Sequence, residues 1–438
     1  MPGTDIVRPG WGARSWYTSA RMKLVHAADL HLDSALAGLT RYESAPVDEI
    51  RGATRRAFSN LVGMCLEERV SLLVISGDLF DGDWRDVSTG LFFAAQLSKL
   101  CEAGVQVAWI RGNHDAVSQI RRSVRLPDAV LELSSERAET RVLEALGVAV
   151  HGRSFAKRDV TEDLSASYPE RVAGALNVGL LHTALEGRAG HDRYAPCRVE
   201  ALVNRGYEYW ALGHVHQREV VHRAPYVVFP GNLQGRHARE LGEKGATLVT
   251  FEGDRISSVE PRALDVVRWA EVVVPTAGLS SLDDVLSAAQ LSLARAAEAA
   301  QGRLLAFRVK LVGATSLDAL LRASRDKLTE ELCSLSYGVG GAGAWLEKLV
   351  LATERPARGA TLGDDALLEI DRALAELLSA EAPEALGEYL GDLSRKLPAE
   401  VLELVPELRA PSAELAAELA LDVRSLLRER LATGLEGA

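Results

Sequence analysis

The sequence predicts an α/β protein: a mixed sheet or pair of sheets with helices outside, then a compact β-α-β-α-β unit, then a helical end. Three observations carry this reading. Up to about Pro261, short apolar runs alternate with amphipathic helical stretches and later follow one another directly. From Val266, three strand-like runs bracket two helical ones. After Arg355, Pro356 and Gly359, apolar residues fall at helical spacing, punctuated by Pro383, Pro398, Pro406 and Pro411.

The elements follow in order. The run MKLVHAADLHL from Met22 reads as an apolar strand opening a domain, and residues 1–21 before it, which lack periodicity, are expected to be a tail. Further strands are expected at Leu72 to Ser76, Val105 to Ile110, Val148 to His151, Val178 to Leu181, Tyr209 to Leu212, Tyr226 to Phe229 and Thr247 to Phe251. Helices are expected at Ala53 to Glu68 and at Val87 to Ala103, the second closed by Gly104. In the smaller unit, strands at Val266 to Pro275, Leu304 to Gly313 and Ala344 to Leu351 enclose helices at Ser281 to Ala300 and Ser316 to Leu335. The implied domains are 22–261, 262–355 and a helical segment 356–438 whose apolar faces need the body or a partner to cover them.

Composition narrows the class. The 438 residues are 47% hydrophobic and 25% charged, which excludes disordered and collagen-like chains. No run approaches the roughly 18 to 20 apolar residues of a membrane helix, and Met1 to Ala20 lacks the apolar centre of a signal peptide. A cytoplasmic protein is expected. Cys65, Cys101, Cys197 and Cys333 lie far apart and match no disulfide framework or CxxC metal site, so core packing is their expected role. The net charge of -11 argues against a protein that coats nucleic acid generally, but leaves room for a local cationic groove.

Five polar clusters end predicted strands, where α/β sheets place ligands: Asp29-Leu30-His31, Gly77-Asp78, Gly112-Asn113-His114-Asp115, His182, and Gly213-His214-Val215-His216. Any one alone is more often a cap or a satisfied structural group. Together they supply oxygen and imidazole donors without a thiol. Burying them is costly unless they are paired or coordinated, and a metal centre removes that cost at once. The set D-x-H, GD, GNHD, an isolated H and GHVH, in this order, resembles the five motifs of the calcineurin-like metallophosphoesterases. The resemblance implies a sandwich of two sheets flanked by helices and two metal ions. Carried over by position, it assigns Asp29, His31 and His216 to one ion, Asn113, His182 and His214 to the other, and Asp78 to both. A shared carboxylate suits two divalent ions about 3.5 to 4 Å apart, which together supply hydroxide near neutral pH. The ligand types admit Mn, Fe or Zn, and the resemblance favours Mn2+. It also implies that His114 faces the substrate, stabilising the developing charge or protonating the leaving oxygen, with Asp115 holding its imidazole.

The stretches MKLVHAADLHLDSAL, VISGDLFDGDW and FPGNLQGRHARE resemble the DNA-repair exonuclease branch of that family, the SbcD type and its YhaO-like members. This implies a DNA exonuclease or endonuclease, a cap at 262–355 that positions DNA, and a helical end docking on a coiled-coil SMC-like ATPase of the SbcC type. A homodimer through residues around Leu36 to Ile50 is implied in the same way. Where some members have a histidine after the GD motif this chain has Asp81, which leaves a substrate-unpairing role without its residue. Arg111, Arg121, Arg122, Arg153, Arg236 and Arg239 lie on the motif side and are candidates for a backbone-binding groove. Two other readings stand beside the nuclease: a small-molecule phosphodiesterase or phosphatase acting on nucleotides, and a mainly structural subunit that binds DNA ends.

Overall fold

The computed structural model describes residues 21–34, 46–80, 87–117, 125–185, 194–356 and Arg372. Of the sequence expectations, the tail before Arg21, the helical segment after Pro356, Asp81, and Arg121 and Arg122 lie outside these residues. So does most of the stretch expected to dimerise, of which Val47–Arg51 forms a short helix α1.

The first compact unit comprises the described residues up to Ala270 together with Ala300–Ala306. It is built on two six-stranded mixed sheets. The central strands of the first sheet are β1 (Arg21–Ala27), β2 (Leu72–Ser76) and β3 (Gln106–Ile110), mutually parallel. Helices α2 (Ala53–Glu67) and α3 (Val87–Glu102) are the crossovers that parallel strands require. β4 (Val130–Glu132) closes one edge, and β11 (Gly245–Glu252) with β12 (Arg255–Ala263) adds an antiparallel edge beside β1. The second sheet runs β5 (Glu139–Leu143), β6 (Val148–Gly152), β7 (Leu176–His182), β8 (Tyr209–Gly213), β10 (Tyr226–Phe229), β9 (Glu219–Arg223), with the short helix α4 (Val199–Val203) before β8.

The two-residue period of a strand, with both faces buried, explains why β2 and β3 are almost entirely apolar. Leu72, Val74, Ala108 and Ile110 join the core between the sheets, against Val150, Val178, Leu180 and Ala211. Leu73, Ile75, Val107 and Trp109 face the other way, onto Phe58, Leu61, Phe93 and Leu97 of the two helices. A separate cluster, including Trp210, Tyr207 and Phe155, covers the outer side of the second sheet.

The expected domain boundary at 261 falls inside β12, which carries Pro261 as a partner of Thr247 on an edge strand, where proline is tolerated. Arg21, assigned to the tail, pairs with Glu252 as part of β1. The second compact unit comprises Glu271–Ala299 and the described residues from Phe307. It holds α5 (Leu282–Ala299), α6 (Asp318–Ala323) and α7 (Arg325–Ser336), most of β13 (Val267–Pro275) and β14 (Leu304–Ala314), and β15 (Ala344–Glu354). The helix expected at Ser316 to Leu335 is two, divided at Ser324.

Two buried histidines tie strands together. His26 lies between the sheets, donating from Nε2 to Leu212 O at 3.0 Å and accepting at Nδ1 from Tyr209 OH at 3.0 Å. His151 donates from Nε2 to Asn177 Oδ1 and accepts at Nδ1 from Thr140 Oγ1. Burial lowers His26 to about 3 and His151 to about 4, so both stay neutral in the fold. The unfolded chain takes up protons below the ordinary imidazole value, so the stability each contributes is complete above pH ~6.5 and is lost on acidification, about 2 kcal/mol each by pH 5. Burial raises the carboxyls of Asp29 and Asp115, which act in the opposite sense. The comparison must therefore be with a variant: in urea titrations at pH 7 and pH 5, His151→Gln is expected to lose less stability than the unaltered protein over that interval.

Candidate metal centre

The carboxyl ends of β1, β2 and β3 in one sheet and of β7 and β8 in the other deliver all five clusters to one place. Backbone bonds lace the first two loops: Asp29 N donates to Gly77 O and His31 N to Asp78 O, both at 3.0 Å. Asp29, His31, Asp78 and His214 all have positive φ, at 51°, 41°, 55° and 98°. Each such conformation is disfavoured for a residue with a side chain and persists where the surroundings over-determine it, a concentration typical of functional sites. Gly77, with φ of 97°, has no such penalty, and a Cβ there would lie 2.5 Å from His182 Nδ1.

Three overlapping triplets offer ligand atoms within 4.8 Å of one another: Asp29, His31 and His216; His31, Asp78 and His114; Asp29, Asp78 and His182. Asp78 Oδ2 lies 3.5 Å from His182 Nε2 and 3.9 Å from His31 Nε2. His182 gives Nδ1–H to Ser76 O at 2.9 Å, which leaves Nε2 with a lone pair 2.9 Å from Asn113 Oδ1. His31 Nε2 and His216 Nε2 stand 3.3 Å apart. Gaps of about 3 to 3.5 Å are those of neighbouring ligands on metal bonds of roughly 2.1 Å. His214 is outside the triplets; its backbone N–H donates to both oxygens of Asp29 at 3.1 Å, and its ring meets those of His182 and Tyr194 edge-on.

The electrostatics point the same way. Asp29 and Asp78 are 1% and 2% exposed. Burial, and then the charge of Asp78, push the Asp29 carboxyl well above its usual range. Burial lowers His182 to about 3, keeping its imidazole neutral and able to ligate. Two buried carboxyls beside imidazole nitrogens fit divalent cations, which would offset the cost of burying both.

One expected role is revised. Asp115 does not hold the His114 imidazole: its oxygens accept from the backbone N–H groups of Leu79, Phe80 and Gly112, at 2.9, 3.1 and 3.1 Å. It ties the GNHD loop to the GD loop. His114 is anchored instead by its own N–H, which donates to Asp78 Oδ1 at 3.0 Å, and its ring lies edge-on to His31. The arginines are also less available than their positions suggested. Arg111 pairs with Glu132 at 3.2 Å, Arg153 with Glu162 at 3.3 Å, and Arg236 lies 3.6 Å from Glu240. In an acidic chain, local carboxylates have met these cations.

The sequence reading passed over Glu240. It is buried, and its Oε1 lies 2.6 Å from His216 Nδ1. Burial alone would raise its carboxyl; the hydrogen bond from His216 and the positive charge of Arg236 outweigh burial and hold it well below the usual range. Its only signal was its place in FPGNLQGRHARE.

Among the described residues no helix is long and apolar enough to cross a membrane. Residues 22–218 match the Calcineurin-like phosphoesterase family, and residues 269–354 match the family described as Metallophosphoesterase YhaO, middle domain. The metallophosphoesterase YhaO of Bacillus subtilis (strain 168) is 31% identical over 318 residues, 72% of this chain and 77% of that protein. The DNA double-strand break repair protein Mre11 of Methanopyrus kandleri is 29% identical over 283 residues, 57% of this chain and 58% of that one. Its counterpart from Sulfurisphaera tokodaii is 26% identical over 278 residues, 59% and 67% of the two chains. With five motif loops meeting in one buried acid and imidazole cluster, and with likeness to YhaO extending through both described units, the chain belongs to the calcineurin-like metallophosphoesterases of the YhaO kind.

Proposed function

We propose that this phosphoester hydrolase acts on DNA, cleaving phosphodiester bonds with two Mn2+ ions, in the cytoplasm and together with a coiled-coil SMC-like ATPase. The convergence of Asp29, His31, Asp78, His182 and His216 carries the hydrolytic part. Likeness to the double-strand break repair proteins Mre11 supports the DNA part. Asp29, His31 and His216 would hold one ion, Asn113, His182 and His214 the other, and Asp78 would serve both. When bound, such a pair supplies hydroxide near neutral pH and polarises the phosphoester. Ser76 O keeps His182 in the tautomer with Nε2 free to ligate. His114, tethered through its N–H to Asp78, faces the departing side, where its ring stabilises charge on the phosphoryl oxygens or protonates the leaving oxygen. The second compact unit is assigned to positioning DNA and residues 356–438 to docking the ATPase.

The ion pairs of Arg111 and Arg153 favour a second reading, a small-molecule phosphodiesterase whose substrate needs no long cationic groove. Turnover of bis-p-nitrophenyl phosphate, a cyclic nucleotide and a labelled duplex, on one preparation, separates the two. The expected result is Mn2+-dependent degradation of the duplex that stops on chelation and returns with Mn2+. Preference for the cyclic nucleotide over DNA supports the second reading instead.

A further inference from the structure

We infer that Glu240 positions His216 for one of the two cations, and that it makes the two cation positions unequal. The inference rests on the metal-centre reading above. At 2.6 Å from Glu240 Oε1, His216 Nδ1 carries the proton and donates it, so Nε2 holds the lone pair. That Nε2 is directed to the cluster, 3.3 Å from His31 Nε2 and 4.0 Å from Asp29 Oδ1. Glu240 is fixed in turn. Its second oxygen accepts from Asn232 Nδ2 at 2.9 Å and from the backbone N–H of Arg236 at 2.7 Å. Lys244 Nζ holds the main chain of His216 through its carbonyl at 2.9 Å. The turn beginning at Pro230 and running to Glu240 thus cradles a histidine that lies twenty-four residues before Glu240 in the chain.

His182 provides the contrast, because its Nδ1–H meets a neutral carbonyl, Ser76 O. A carboxylate partner makes an imidazole more basic and orients it more firmly than a carbonyl does, and loss of such a partner typically lowers metal affinity about 10- to 100-fold. Glutamine at 240 preserves the shape but fails the donors. With its oxygen toward His216, its amide NH2 faces the N–H groups of Asn232 and Arg236; reversed, it faces the His216 N–H.

The test is Mn2+ titration of the chelator-treated full-length protein, followed by calorimetry and by the paramagnetic resonance of free Mn2+. Glu240→Gln is expected to weaken about 10- to 100-fold the binding event that His216→Ala abolishes, and to spare the event that His182→Ala abolishes. Wild-type binding by a Glu240→Gln protein of unchanged melting temperature overturns the inference. Should that variant not fold, wild-type protein carrying 15N-histidine decides. A proton on Nδ1 of His216, identified by its loss in His216→Gln, supports the positioning role, and a proton on Nε2 overturns it. A wild-type protein that binds no divalent cation, yet shows the Nδ1 proton, sinks the metal reading and leaves Glu240 a structural tie.

Discussion

Asp78→Asn is expected to reduce phosphodiester hydrolysis by far more than the 100-fold or so that follows loss of an outer partner, because the proposed centre has Asp78 serve both ion positions. Asparagine is the informative replacement. It keeps an oxygen for the His114 N–H, so the loop geometry survives while the charge goes. The same change should leave the metal-free protein as stable as before or more so. After burial, the Asp78 charge is the next cause that raises the carboxyls of both Asp29 and Asp115, and removing it relieves that repulsion in a buried site. Mn2+ should then protect poorly: ligand that binds only the folded state raises stability by about 2.7 kcal/mol at a hundred times its Kd, and a site that has lost the shared carboxylate forfeits most of that rise. Thermal unfolding with chelator and with Mn2+, alongside a metal count on the purified protein, reads both effects. Two tightly held ions and full turnover in Asp78→Asn would remove the shared-ligand assignment.

What could be read in advance, and what could not, follows from how far each feature depends on the neighbourhood that folding creates. β2, β7 and β8 are buried along their whole length, so their apolar runs declare them. The edge strands β5 and β9 have half-exposed residues and a sequence rich in Glu and Arg, and they went unseen. β12 is not among the expected strands, because its largely polar run with Pro261 marks a strand only once its edge pairing with β11 is known. The break between α6 and α7 at Ser324 leaves no mark in a continuous apolar periodicity. In the site, residue types and order were enough to gather the motif residues, since each sits directly after a strand. Partners were another matter. Asp115 was given to its sequence neighbour His114, whereas its carboxylate reaches Leu79 and Phe80 from another loop. Glu240 meets His216 only because the Pro230 turn folds back, and the pairing of Arg111 with Glu132 likewise needs two strands side by side.

Gly112→Ala should separate the site from the fold. A Cβ at Gly112 would come within 2.2 Å of Asp78 Oδ1 and 2.7 Å of His182 Cε1, far inside any real contact. Both atoms belong to side chains, so relief comes when the carboxylate and the imidazole swing away, and the strands beneath need not move. The expected cost in stability is that of modest overpacking, about 1 to 3 kcal/mol. Catalysis and ion binding should fall much further, by more than about 100-fold, since two proposed ligands are displaced together and a shift of about 1 Å is already damaging to a catalytic constellation. Gly213→Ala supplies the contrast. Its Cβ would lie 1.9 Å from Ser76 O, a backbone atom held between parallel strands that cannot rotate aside. That variant should lose stability outright, by more than about 3 kcal/mol, with poor yield of folded protein. Urea unfolding midpoints and Mn2+ isotherms on the two variants check the pair. A Gly112→Ala protein that binds Mn2+ normally would mean that Asp78 and His182 do not need their present positions to hold the ions, and the centre would have to be rebuilt around other ligands.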